Sequence, residues 1–117
     1  MPCLFLENVP EGVEWLPEIL TPFHEGAKEV LGDALEVHIR KGVTYTLLTP
    51  EGKIPALDHG VHGWIEWHEG RTKWQRLQIG HLLRDILAAH RIPGKLDLAF
   101  VDYEHGISFY YDGKLIK

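Results

Sequence analysis

Residues 64–89, WIEWHEGRTKWQRLQIGHLLRDILAA, decide the fold, because they pass from a strand through a turn into a helix. Trp64–Trp67 is a short β-prone run, and Glu69–Arg71, with glycine at its centre, predicts a turn. A helix then begins at Thr72, which forms a capping-box signature with Gln75. Its apolar side chains recur at helical spacing and form one stripe: Ile79, Leu82, Leu83, Ile86 and Leu87.

The first half of the chain shows the same order of elements. Cys3–Glu7 predicts a strand, and the apolar spacing that follows predicts a helix that stops before Gly32. Because a proline inside a helix is destabilising, we expect this helix to start near Leu16 or to bend near Pro22. A strand at Ala34–Ile39 completes a strand, helix, strand unit.

A strand predicted at Leu96–Val101 completes the second unit. We also predict a strand at Gly42–Thr49, followed by a connector at Pro50–Gly63 that is rich in proline and glycine. The 117 residues therefore form a single domain with two similar halves, about 1–60 and 61–117.

Two βαβ units predict an α+β fold, in which a four-stranded mixed sheet carries both helices on one face. Apolar residues point to both faces of the predicted strands, so we expect the face without helices to pack against other copies of the chain. Because each chain has two similar halves, three chains would form a ring with sixfold-like symmetry. The β-prone tail Ile107–Tyr111 is suited to pair along the sheet edge of a neighbouring chain. The sequence thus predicts a homotrimer.

Composition and charge exclude several classes of partner. The net charge of −5 offers no basic surface for nucleic acid, and no apolar run approaches the roughly 20 residues of a membrane span. The single cysteine, Cys3, excludes an intramolecular disulfide and a cage of several cysteines, and we expect a small buried side chain there. Because the start of the sequence lacks the features of a signal peptide, we expect a cytoplasmic protein.

Pro2 stands at the start of the first strand, one of the few strand positions that proline tolerates. The start of a strand is by itself enough to explain why a proline occurs there. A small second residue also favours removal of the initiator methionine, which would leave Pro2 as a free secondary amine. An N-terminal amine titrates at about 7.7–8.0, and burial lowers that value, so the amine could act as a base near neutral pH.

Several of these residues together resemble the tautomerase superfamily. The Met-Pro start and the double βαβ pattern resemble its long, fused members, and the turn Glu69–Arg71 before the second helix is similar to that of 4-oxalocrotonate tautomerase. Phe5-Leu6-Glu7 and Leu98-Ala99-Phe100 resemble 5-carboxymethyl-2-hydroxymuconate isomerase. The chain also resembles relatives of macrophage migration inhibitory factor.

The resemblance implies a cofactor-independent isomerase that shifts a proton in a small unsaturated 2-oxo or 2-hydroxy carboxylic acid. Pro2 would be the general base and acid, while Arg40 and Arg71 would hold the carboxylate or the developing enolate. The superfamily has a second arginine in the strand after the helix, and this chain has His38 at that position. His38 and Phe100 complete the set of substrate-binding residues that the resemblance implies. The expected partners are a small carboxylate substrate and two further copies of the chain.

Each of these residues also has a purely structural interpretation. Arg40 and Arg71 can be solvated surface arginines. His59, His62 and His68 lie close together in the sequence but lack the His-Glu-x-x-His spacing of a zinc site, so we expect no metal. The alternative function is a trimeric binding or structural module that keeps the fold without the activity.

Overall fold

Two βαβ units form the body of the computed structural model, which describes residues 2–42, 47–54, 60–67, 70–92, 95–102, 106–111 and 113–116. In chain order the elements are β1 (Cys3–Val9), α1 (Pro17–Leu31), β2 (Glu36–Lys41), β3 (Leu47–Thr49), β4 (Gly52–Ile54), β5 (His62–Trp67), α2 (Lys73–Ala89), β6 (Asp97–Asp102), β7 (Gly106–Tyr111) and β8 (Lys114–Ile116). No described helix has the length and apolar character needed to cross a membrane.

The main sheet has the strand order β2-β1-β5-β6-β7-β8. β1 runs parallel to β2 and β5 runs parallel to β6, while β1 and β5 are antiparallel neighbours. This arrangement confirms the predicted α+β fold with two βαβ units. The sheet contains six strands rather than four, because β7 and β8 extend it beyond β6.

The tail is where the prediction was wrong. Ile107–Tyr111 lies in β7, between β6 and β8 of its own chain, so both edges of this strand are already paired and neither is left for a neighbouring sheet. Tyr110 is fully buried in the core and fixes this strand to the domain. The extra strands therefore complete the sheet within one chain.

The helices begin and end at the residues that the sequence marks. α1 starts directly after Leu16 and continues without a break through Pro22, and the amide of Gly32, at φ 76°, donates to the carbonyl of Lys28 over 2.7 Å. At the start of α2, Thr72 and Gln75 exchange hydrogen bonds of 2.9 and 3.1 Å between side chain and backbone. The predicted capping box is confirmed.

The region between the two units differs from the prediction. A strand was expected over the whole of Gly42–Thr49, but β3 covers only its end, and residues 43–46 lie outside the described part of the chain. The predicted connector Pro50–Gly63 contains β4, which pairs antiparallel with β3, and its last two residues already belong to β5. Apolar patterning could not reveal a hairpin of three-residue strands.

The two faces of the main sheet have different environments. Leu4, Leu6, Ile65, Leu98 and Phe100 point toward the helices and are buried in one core. The opposite face, here called the open face, carries the alternate residues of each strand, among them Cys3, Phe5, His38, Trp64, Phe109 and Ile116. Four large apolar side chains of the open face are about half exposed: Ile107, Phe109, Tyr111 and Ile116.

Candidate active site

Pro2 is buried at the start of β1. Its carbonyl accepts a hydrogen bond of 3.0 Å from the amide of Glu36, which continues the pairing of β1 with β2. Cys3 lies opposite Glu66 in β5, and continuing this antiparallel register by one residue takes Pro2 to the level of Trp67. Because side chains alternate along a strand, Pro2 shares the helix-covered face with Trp67.

A pocket of about 220 Å³ opens at this same end of the sheet. It lies where β5 and β6 end and where α2 and β7 begin. The side chains that give it chemical character are Trp67, Arg71, Arg76, Phe100, Asp102 and Ser108. Two guanidinium groups face one carboxylate among these residues, so the described lining has a net positive charge.

Arg71 lies between the end of β5 and the N-cap of α2. Its guanidinium carbon is 5.5 Å from the centre of the Trp67 ring, a distance at which a cation is attracted to the ring face. Trp67 in turn stacks on Phe100, with 5.5 Å between ring centres. The pocket thus combines a cation with a flat aromatic wall, which suits a planar anion.

Arg76 is the second cation of the pocket and was missed by the sequence analysis. Its Nη1 atom donates to the hydroxyl of Ser108 over 2.6 Å, and its Nε atom is buried without a hydrogen-bond partner in the described part of the chain. Arg76 lies three residues before Ile79 and seven before Leu83, on the buried stripe of α2. The sequence did contain a signal for this residue: Arg76 falls at helical spacing from the apolar residues of α2. A charged residue at such a position has its side chain on the buried side of the helix.

His38 and Arg40 lie on the open face, away from the pocket. The His38 ring stacks on Phe5 with 4.8 Å between centres, and its Nε2 atom is 3.3 Å from the carboxylate of Glu36. Arg40 forms an ion pair of 3.3 Å with Glu7. Within one chain these two predicted site residues therefore do not meet the other three.

Cys3 is not the fully buried side chain that we expected. It is half-buried on the open face, and its thiol donates to Glu36 over 3.5 Å. Burial raises the pKa of the Cys3 thiol, and the hydrogen bond to Glu36 and the negative charge of that carboxylate raise this pKa further.

The histidine triad considered above is only partly described. His59 and His68 lie outside the described residues. His62 is on the open face, with its Nδ1 atom 3.5 Å from the carboxylate of Asp97. This contact links His62 to the neighbouring strand β6.

Solved structures resemble this chain over most of its length. Macrophage migration inhibitory factor from Oncomelania hupensis superposes with a TM-score of 0.59 and 14% identity over 87% of this chain and 73% of its own. The chain is similar in fold to this and other tautomerase-superfamily structures. A DUF1904 domain from Sebaldella termitidis gives a TM-score of 0.57 and 15% identity over 99% of this chain and 100% of its own. Pt0534, solved after inactivation by 2-oxo-3-pentynoate, superposes with a TM-score of 0.55 and 18% identity over 86% of this chain and 85% of its own.

At these identities the likeness concerns the fold alone. No protein-family model and no curated protein sequence matches the chain. Of the predicted residues, Arg71 and Phe100 line the pocket together with Arg76, and Pro2 is buried next to the first residue of β1.

Proposed function

We propose that this protein is a cofactor-independent isomerase of the tautomerase type, acting on a small unsaturated 2-oxo or 2-hydroxy carboxylic acid. One observation carries the proposal: Pro2 is buried next to the first residue of β1, at the end of the sheet where Arg71 and Arg76 line a pocket. The site therefore combines a candidate base with two carboxylate-binding groups.

The chemistry requires that Met1 is removed, so that Pro2 carries a free secondary amine. A buried amine favours its neutral form, which can take a proton from a carbon next to a carbonyl or from an enol hydroxyl. The resulting cation can return the proton to another carbon of the same substrate. Proton removal and return at one nitrogen constitute a keto–enol or 1,3-allylic tautomerisation.

Arg71 and Arg76 are proposed to hold the substrate carboxylate. A guanidinium binds a carboxylate through two parallel hydrogen bonds, which fixes the position of the attached carbon chain. Ser108 orients Arg76 through its 2.6 Å hydrogen bond, while Trp67 and Phe100 supply a flat apolar wall for an unsaturated chain. A pocket of about 220 Å³ suits an acid of this size rather than a polymer.

We also propose a homotrimer. Four large apolar residues are half exposed on the open face, and a soluble monomer rarely leaves such residues together in one patch. In an assembly that covers this face, active sites would lie between chains, and Arg40 of one chain would serve the site of another. Sedimentation equilibrium should then report a mass near three times 13.4 kDa, whereas a monomer would contradict the assembly.

The decisive test measures catalysis and the state of the N-terminus together. Intact mass should show loss of Met1, and enolised 2-oxo acids should lose their ultraviolet absorbance faster with enzyme. Pro2→Ala keeps a primary amine but loses the ring that fixes it, so turnover should fall about 100-fold or more. Equal activity of the two proteins would refute the role of Pro2.

A covalent probe provides an independent readout. The amine nitrogen of Pro2 can add to the triple bond of 2-oxo-3-pentynoate, and the proton it loses moves to the adjacent carbon, so the protein gains the whole mass of the reagent. The adduct should map to the peptide that begins with Pro2. Retention of Met1, with no adduct and no activity in an intact trimer, would instead support the non-catalytic binding module.

A further inference from the structure

Three potential metal ligands meet on the open face: Cys3, Glu36 and His38. Cys3 and Glu36 lie opposite each other in the parallel pair of β1 and β2, and His38 follows Glu36 by two residues, so that all three side chains point the same way. The thiol sulphur, a carboxylate oxygen and a ring nitrogen lie within 4.8 Å of one another. Strand register alone brings these residues together, since Cys3 and His38 are far apart in the sequence.

We propose that Cys3, Glu36 and His38 bind a zinc ion. Thiolate and imidazole are ligands that favour zinc over magnesium or calcium, and a carboxylate is a common companion. With zinc bonds of about 2.0–2.3 Å, neighbouring ligand atoms of a tetrahedral site are about 3.3–3.6 Å apart. The observed separations are 3.5 Å from Cys3 Sγ to Glu36 Oε2 and 3.3 Å from His38 Nε2 to Glu36 Oε1.

These two separations place the carboxylate between the thiol and the imidazole. A zinc ion bound there would have three protein donors, the sulphur of Cys3, one oxygen of Glu36 and Nε2 of His38, with the fourth tetrahedral position left to water or to a group of another chain. On binding, the thiol proton leaves to solvent, and the dipositive ion is balanced by one thiolate and one carboxylate. The resulting neutral site can be covered by another chain without burying a net charge.

Neighbouring side chains hold the ligands in place. The His38 ring stacks on Phe5, which stacks on Trp64 with 5.0 Å between ring centres. The indole nitrogen of Trp64 donates to Glu66 over 2.9 Å, and Glu66 lies opposite Cys3. The imidazole orientation is therefore set by an aromatic stack rather than by the ion, which reduces the ordering needed on binding.

The zinc site is separate from the proposed active site. Pro2 directly precedes Cys3, the first residue of β1, so in the extended chain their side chains point to opposite faces of the sheet. The proposal rests on the three ligands alone and does not require that the protein is a tautomerase. Loss of metal binding and loss of isomerase activity can therefore be measured independently.

The test uses protein freed of metal with a chelator and then titrated with Co²⁺, which reports on thiolate ligands through a charge-transfer absorption. We expect one Co²⁺ per chain, a charge-transfer band, and displacement of that band by Zn²⁺. Cys3→Ser should abolish the band, whereas Glu36→Gln and His38→Gln should each weaken metal binding about tenfold or more.

His62→Gln is the matched control, because His62 is also on the open face but pairs with Asp97. It should bind Co²⁺ as the wild type does. Glu36 and His38 are half exposed, so their variants should fold even if Cys3→Ser does not. Absence of the band in the wild type, or unchanged affinity in both Glu36→Gln and His38→Gln, would overturn the proposal.

Discussion

Replacing Gly80 by alanine should destabilise the protein, although alanine is the better helix former. Gly80 is buried on α2, and a Cβ atom there would lie 2.5 and 2.6 Å from Cε2 and Cγ of Tyr110, and closer still to Cδ2. Tyr110 has little freedom to retreat, because it is fully buried and its hydroxyl is 2.9 Å from His81 Nδ1. The added methyl group therefore has to displace α2 or β7.

The expected magnitude follows from two opposing terms. Overpacking a rigid core lowers the free energy of unfolding by about 1–3 kcal/mol, and contacts this short favour the upper part of that range. Alanine raises helix stability by about 1 kcal/mol relative to glycine. The net change at Gly80 should therefore be a loss of about 1–2 kcal/mol.

Gly26→Ala is the matched control on α1. Its Cβ atom would be 3.4 Å from the two methyl groups of Leu82, an end of a side chain that can yield. There the helix propensity should dominate and stabilise the protein by about 0.5–1 kcal/mol. Urea denaturation of both variants at one protein concentration measures the difference. If Gly80→Ala proved as stable as Gly26→Ala, the packing of β7 under α2 in its own chain would be refuted.

Three further predictions test the pocket, the N-cap of α2 and the C-terminal strands. Arg71→Lys should raise the KM of a carboxylate substrate, because lysine cannot form the bidentate pair, and Arg71→Ala should raise it further. Arg84→Ala, on the exposed side of α2, is the control and should leave the KM unchanged. Thr72→Ala removes the capping hydrogen bond and should lower the free energy of unfolding by about 1 kcal/mol, as measured by urea denaturation. Truncation after Gly106 removes the buried Tyr110, so circular dichroism should show an unfolded chain; a folded, monomeric product would contradict the observed sheet.

Most of the fold could be predicted because local signals agree with the tertiary structure. The capping box of Thr72 and the glycine at position 32 mark helix ends through bonds made within a few residues. The pairing of β7 was not predictable in this way. Residues with high β propensity occupy both faces of Ile107–Tyr111, so the pattern does not indicate which edge of the sheet this strand will join.

The candidate site was predictable in part for the same reason. Pro2 and Arg71 stand in short motifs that the resemblance to tautomerases covers. Arg76 belongs to no motif, and only its phase on α2 relative to the buried residues directs it to the pocket. The meeting of Cys3 with His38 depends on the register of two strands that a whole helix separates in the chain.

The edges of the sheet limit how this protein can aggregate. Among the described strands, the sheet ends at β2 and β8. β2 exposes the charged or polar residues Glu36, His38, Arg40 and Lys41, and β8 has only three residues, beginning with Lys114. Short or charged edges resist the endless strand-to-strand addition that produces fibrils. In the proposed trimer, association uses the apolar open face instead, where a closed assembly ends growth, so concentrated protein should remain clear instead of forming fibrils.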